Sequence, residues 1–363
     1  MTSISEIFQT FGPQYLGCFA DTMPQDHRKT IDAIMECRTQ QAGITYYECI
    51  ECGHSHLVYR SCGNRHCPTC QQHKSRQWLE AQMSRQLPGH HFMITFTVPA
   101  LVRRFIRSHQ RIAYAALFKA SSAAIKKLAP DNRYIGGDLP GFYGVLHTWG
   151  RTLEYHPHIH YVVAGGALST KDASWHPSRI DFYLPIKALS KIFRAKFRDE
   201  MEAAGLLDQI PTELWEAGWN VNCQAVGESS ASIKYLAPYV FKVAISNSRI
   251  IKVENGAVTF RYKKPKSERW RAMTLNAMEF IRRFLQHVLP TGFMKVRYFG
   301  FMNPNSKVGL QTISGLIELS YGFQVARPEV ELEPWEPSVC PHCGGALKVR
   351  AILLANGTVL RPG

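Results

Sequence analysis

The sequence predicts an α+β protein, with a ferredoxin-like antiparallel sheet following an N-terminal cysteine-rich module. Three observations carry this expectation. Six of the ten cysteines fall between Cys37 and Cys70. From His91 to Val226 the apolar periodicity switches in the order strand, helix, strand, strand, helix, strand, which is the ferredoxin-like order. Within that stretch, His156 to Val163 alternates like a half-buried strand.

Residues 1–30 read as partly helical, and 37–73 form the Cys/His block. Lys74 to Leu87 is a polar helical connector ended by Pro88-Gly89. His91 to Val98 is rich in β-formers and stops at Pro99. Leu101 to Ala129 has helical spacing, a basic face of Arg103, Arg104, Arg107 and Arg111, and Pro130 as its stop. Residues 142–149 and 157–164 are apolar strands around a short polar turn, hence a hairpin. Leu184 to Ala204 is an amphipathic helix closed by Gly205. Trp219 to Val226 is the last strand, after which Ser229 or Ser230 caps a helix reaching about Ala244. Beyond it come a basic hairpin (Ile250 to Lys264), a helix near Thr274 to Val288 and a strand near Phe293 to Phe299. A Pro/Glu-rich linker spans Arg327 to Pro337. The expected segments are a cysteine-rich domain (1–88), a sheet domain with its following helix (89–248), a basic extension (249–326) and a linker with a CxxC tail (327–363).

The charge balance is unusual: 43 Lys+Arg against 28 Asp+Glu give a net charge of +15. Such an excess suits a polyanionic partner. Neither a membrane-spanning run nor a secretory leader is legible, so the expected partner is nucleic acid and the expected compartment the cytoplasm.

Cys49-x2-Cys52 and Cys67-x2-Cys70 are separated by fourteen residues. Two such knuckles close a tetrahedral Zn²⁺ site, and disulfides are disfavoured in a reducing compartment. Cys37, Cys62 and His66, with His54 and His56 nearby, either complete a second site or pack beside the first. Arg60, Arg65, Lys74 and Arg76 flank the knuckles and suit DNA phosphates. Cys340-Pro341-His342-Cys343 has the form of half a zinc ribbon with no second pair downstream. Cys18 and Cys223 stand apart and read as packing residues.

In a strand, His158 and His160 share one face while Ile159 points to the other. Two imidazoles so placed can hold one divalent cation. A register that sets His147 opposite His158 supplies a third, with His156 and Glu154 as competitors nearer the turn. In Lys234-Tyr235-Leu236-Ala237-Pro238-Tyr239-Val240-Phe241-Lys242, two phenols stand at i and i+4 on one side of a helix. Alone they would read as a buried aromatic stripe; beside the histidine strand they become candidate nucleophiles, with Lys234 or Lys242 stabilising phenolate.

Together these residues resemble the HUH endonuclease superfamily, named for its His-hydrophobic-His strand, and more closely the two-tyrosine transposases of the IS91 insertion-sequence family. The resemblance runs through Ser61-Cys62-Gly63-Asn64-Arg65-His66-Cys67-Pro68, Leu146-His147-Thr148-Trp149-Gly150, His156 to Gly166, Tyr235 to Ile250, and Phe284 to Pro290. It implies the HUH fold and a bacterial, nucleoid-associated enzyme that nicks and rejoins single-stranded DNA at transposon ends during rolling-circle transposition. It further implies Mg²⁺ or Mn²⁺ at His158 and His160, with Tyr235 and Tyr239 as nucleophiles. No Gly-x4-Gly-Lys-Ser/Thr loop is present, so a host helicase or the replication machinery would unwind the duplex. A plasmid relaxase or replication initiator would share this chemistry. A zinc-dependent DNA-binding regulator would lack it, and a metal-dependent hydrolase would cut with water.

Overall fold

A computed structural model describes residues 3–228, 244–264, 267, 269–322 and 339–361. Tyr235, Tyr239, Lys234 and Lys242, and with them the helix expected after Ser229, lie outside the described residues.

In chain order, α1 (Ile4–Phe19) and α2 (Gln25–Glu36) precede a hairpin of β1 (Ile44–Cys49) and β2 (Ser55–Tyr59). Helix α3 (Gln71–Met83) leads to β3 (His90–Thr97), then α4 (Arg103–Ser108) and α5 (Gln110–Leu128). Strands β4 (Leu139–Trp149), β5 (Tyr155–Ser169) and β6 (Ser174–Pro177) follow, then α6 (Ile186–Ala203) and β7 (Asn220–Glu228). The remainder holds β8 (Ile250–Glu254), β9 (Ala257–Lys263), β10 (Trp270–Asn276), α7 (Ala277–Leu285), β11 (Val296–Phe299), α8 (Leu310–Tyr321), β12 (Leu347–Leu353) and β13 (Val359–Leu360). The architecture is mixed α+β with antiparallel sheets, as the sequence implied.

Packing divides the chain into two units that cut across the four consecutive segments read from the sequence. One comprises Met1–Lys74, Phe241–Val288 and Glu331–Gly363; the other comprises Ser75–Val240 and Leu289–Val330. The expected basic extension is therefore shared between the two units. The expected tail is part of the first unit's sheet.

The second unit is built on a six-stranded sheet ordered β11-β4-β5-β3-β7, with β6 beside β5. The first and third strands of the ferredoxin-like order, β3 and β5, lie in the middle. Alternation sorts their side chains. Phe92, Ile94 and Phe96 of β3, Phe142 and Leu146 of β4, and Ile159, Tyr161 and Val163 of β5 enter one core with α5 and α6. Helix α6 meets it with Leu189, Phe193, Phe197 and Met201, an unbroken i, i+4 stripe of fully buried side chains. Each such large apolar side chain contributes about 1.5–3 kcal/mol on burial. The long helix expected from Leu101 is broken at His109, whose backbone leaves the helical region at φ −122° and ψ 41°.

In the first unit, β12 enters a four-stranded sheet ordered β13-β12-β1-β2. It pairs with β1 from Ile44 opposite Leu353 to Cys49 opposite Leu347. The hairpin β8–β9 gains a third strand, β10, so the helix expected from Thr274 begins at Ala277. Asn276 caps it by accepting the Met278 N–H at 2.9 Å. Phe8 of α1 and Phe284 of α7 meet edge to face at 5.1 Å.

One glycine makes room for a core ring in the hairpin that carries the histidines. Gly144 stands opposite Tyr161, and a Cβ there would lie 2.3 Å from the Tyr161 ring. That ring is fully buried, and its hydroxyl is 2.7 Å from Ser121 Oγ. Gly144→Val should displace Tyr161 and cost about 1–3 kcal/mol, read as a lower urea midpoint with an unchanged slope.

Candidate metal centres

Eight cysteines gather into two sets of four: Cys37, Cys62, Cys67 and Cys70, and Cys49, Cys52, Cys340 and Cys343. In the first set, Cys37 Sγ lies 3.5 Å from Cys70 Sγ and 3.6 Å from Cys67 Sγ, and Cys62 Sγ is 3.5 Å from Cys70 Sγ. In the second, Cys49 and Cys343 are 3.4 Å apart and Cys52 and Cys340 3.7 Å. A tetrahedron with Zn–S bonds of about 2.3 Å has edges of about 3.8 Å, so both sets fit one Zn²⁺ each. Hydrogen bonds from Cys62 and Cys67 bring the Cys37 thiol down to about 7, and the Cys52 backbone N–H does the same for Cys49. The same hydrogen bonding raises Cys62 and Cys67 in the first set and Cys52 and Cys343 in the second, so the thiols of each set share their protons unevenly, and a bound metal would displace them.

This corrects the single site read from Cys49/Cys52 and Cys67/Cys70. The tight turn after β1 puts Cys49 and Cys52 against the returning 340–346 loop, where Ile50 N–H bonds the Ala346 carbonyl at 3.0 Å. The 62–70 loop instead folds back to Cys37, which closes the end of α2. The missing half of the C-terminal ribbon is thus Cys49-x2-Cys52. His66 joins neither set, and its backbone N–H bonds Asn64 Oδ1 at 2.8 Å. His56 Nε2 lies 3.2 Å from Cys340 Sγ, beside a ligand of the second set.

The third cluster is imidazole. His147 of β4 pairs in register with His158 of β5, and His160 is the next residue on that face. Ring centroids stand 5.3 Å apart for His147–His158, 4.7 Å for His147–His160 and 4.8 Å for His158–His160. One ligand atom from each falls within 4.8 Å of the others. His158 Nδ1–H donates to the His156 carbonyl at 2.7 Å, and Thr95 Oγ1 engages His160 Nδ1 at 2.8 Å. Both rings are thereby held with Nε2 left to ligate. Burial pushes the His158 pKa well below the usual imidazole range and that of His160 to about 4, so both stay neutral near pH 7. The competitors stand aside: Glu154 accepts the Thr152 N–H at 2.9 Å in the turn, and half-buried His156 is not in the cluster.

A family profile described as "Transposase zinc-binding domain" matches residues 7–98, and one described as "Putative transposase" matches residues 141–308. The "Putative transposase y4qJ" of Sinorhizobium fredii is 34% identical over 326 residues, spanning 82% of this chain and 80% of that protein. The chain belongs to the IS91 family of transposases. The transposase for insertion sequence element IS801 of Pseudomonas savastanoi pv. phaseolicola is 27% identical over 305 residues, covering 76% of this chain and 70% of its own length. No solved structure matches. As a transposase the chain is an enzyme that binds DNA, and it carries a zinc-binding domain, with two cysteine sets that could each hold a metal ion. Among the described residues no helix is long and apolar enough to cross a membrane.

The expected phosphate contacts are only partly free. Arg76 pairs with Glu80 at 3.2 Å, Arg60 and Arg65 are half-buried, and the side chain of Lys74 lies outside the described residues. Cys18, read as a packing residue, is exposed, whereas Cys223 is partly buried with its thiol pushed up to about 11 by desolvation. Sequence reasoning missed Thr95 as the support of His160, although its place in the alternation of β3 marked that face.

The transposase should hold two zinc ions per chain. Cys340→Ser with Cys343→Ser should reduce this to one, whereas loss of Cys67 and Cys70 should spare the ion between Cys49 and Cys343. Metal analysis after dialysis checks both. Retention of two ions by the Cys340/Cys343 variant would refute the pairing.

Proposed function

We propose that this transposase nicks and rejoins single-stranded DNA through 5′-phosphotyrosine intermediates, as rolling-circle transposition requires. The observation that carries the reading is the convergence of His147, His158 and His160, neutral and with two rings fixed by hydrogen bonds, on the face of the sheet that α5 and α6 do not cover. A cation bound there would polarise the scissile phosphate and ease departure of the 3′ oxygen. Three imidazoles, with no carboxylate in the cluster among the described residues, match Mn²⁺ better than Mg²⁺, which prefers oxygen ligands.

The chain's own residues supply the rest. Tyr235 or Tyr239 attacks phosphorus through its phenolic oxygen. The new O–P bond replaces the bond to the 3′ oxygen, which leaves as a free hydroxyl after taking up a proton. Phenol is a weak nucleophile with a pKa of about 10, and Lys242, with Lys234, flanks the pair to favour phenolate. The phosphodiester's energy is kept in the tyrosine ester, so rejoining needs no ATP. A second tyrosine permits a second cut while the first end stays attached. Unwinding falls to a host helicase or the replication machinery in the bacterial cytoplasm. The basic residues around the zinc centres, Arg60, Arg65, Lys74 and Arg76 with them, hold DNA by its phosphates.

His158→Ala and His160→Ala should each lower cleavage of single-stranded end DNA at least about a hundredfold, while DNA affinity stays near wild type. Undiminished cleavage in either variant would remove the metal reading.

Replacing Tyr235 and Tyr239 together by Phe keeps both rings and removes both hydroxyls. The double variant should form no denaturation-resistant protein–DNA adduct. At least one single variant should retain single-strand cleavage, with complete transposition impaired in both. Cleavage by the double variant without an adduct would point to water as nucleophile, and hence to a hydrolase.

A further inference from the structure

The three-stranded sheet β10-β9-β8 of the first unit packs by one face and leaves the other in water. Val258 and Phe260 of β9 take the packed face, both fully buried, and Phe260 meets Phe280 of α7 at 6.0 Å. Arg261 and Lys263 alternate with them, and the register sets Ala272 and Trp270 of β10 opposite these two cations. On that face Trp270, Ala272 and Thr274 are all exposed, the indole by 52%. We propose that this face binds single-stranded DNA, with Trp270 stacking on one base and Arg261 and Lys263 holding the phosphates beside it. The proposal rests on the single-strand reading above.

The indole is flanked by charge instead of being buried. Arg261 Cζ lies 4.8 Å and Lys263 Nζ 5.2 Å from its ring centroid. Arg261 is exposed and Lys263 half-buried, so both cations keep contact with water and add little to folding through the ring. Tryptophan is a residue that globular chains mostly hide, and here much of its surface is left open. A flat apolar ring between two cations matches the two parts of a nucleotide, a base with a π-face and an anionic phosphate. Ala272, next to Trp270 on the same face, has no side chain beyond Cβ to obstruct an incoming base.

Charge and spacing select the occupant. From Arg261 to Arg271 the sequence has six Lys or Arg against one Glu, so the partner is an anion. Arg261 and Lys263 leave β9 about 7 Å apart, close to the spacing of successive phosphates in an extended strand. At the other end of the face Lys252 is engaged by Glu254 at 2.8 Å, so the uncompensated charge lies at the end that carries Trp270. A duplex keeps its base faces inside its own stack and offers the indole no ring to stack on. A single strand exposes those faces, and aromatic side chains on the open face of a sheet are a general platform for them.

The test is equilibrium binding by the full-length, zinc-loaded protein, read by fluorescence anisotropy without Mg²⁺ or Mn²⁺. The probes are a labelled oligothymidylate and the duplex it forms with oligodeoxyadenylate. Trp270→Ala should weaken single-strand binding roughly 5- to 100-fold and duplex binding less than about twofold. Trp270→Phe keeps a ring that can stack and should recover most of the loss. Arg261→Gln and Lys263→Gln should each weaken both probes and lower the single-strand salt slope by about 0.7. All four variants should melt near wild type. The proposal is overturned if Trp270→Ala binds oligothymidylate as wild type does, or loses both probes equally. It is overturned as well if Trp270→Phe binds no better than Trp270→Ala, or if both glutamine variants keep the wild-type salt slope. Binding is read without cleavage, so failure to form an adduct would sink the phosphotyrosine reading and leave this surface still tested.

Discussion

The central hairpin of β4 and β5 is governed by the two-residue period of the extended chain. Ile159, Tyr161 and Val163 are committed to the core with α5 and α6. Once they are, His158, His160 and Val162 have only the opposite face. Antiparallel pairing then sets His147 against His158 and, in the same register, Tyr143 against Val162. A one-residue slip would exchange the two faces, burying imidazoles in the apolar core and putting isoleucine where they stood. The register is therefore fixed by stability, and the imidazole cluster inherits its geometry from it. Gly144, which leaves room for Tyr161, keeps the pairing close at the point where it matters most.

Much of the second unit was legible because its signals are local. The His158–Ile159–His160 alternation, the stops at Pro99, Pro130 and Gly205, and the Leu189–Met201 stripe each lie within a few turns or strand repeats. Even the third imidazole followed from hairpin register, which depends only on a short turn. The break at His109 was not legible, because the sequence around it keeps helical spacing and only the backbone there departs from it.

The cysteine pairing was illegible for the opposite reason. Adjacent knuckles at Cys49 and Cys67 look self-sufficient, and proximity in sequence argues for joining them. What separates them is the strand β12, which arrives from the far end of the chain and lies along β1. Arithmetic held a clue: eight clustered cysteines make two sets of four, and an orphan CxxC implies another orphan. The choice between pairings still required knowing that β12 is a central strand, and a short exposed-looking run such as Leu347 to Leu353 does not announce that. The tyrosines at 235 and 239 were singled out by their company in the sequence alone.

Cys52 and Cys340 stand 288 residues apart in the chain. A ribosome adding about 5–20 residues per second needs roughly 15–60 s to cover that distance. Throughout this interval the Cys49–Cys52 knuckle exists as an unfilled half-site, and β1 lacks the neighbour that completes its sheet. A transcript broken before codon 340, or a ribosome stalled there, yields a chain whose first unit cannot close. Closure of the first unit thus waits on two pairs of thiols that can meet only once residues 340–343 have been made.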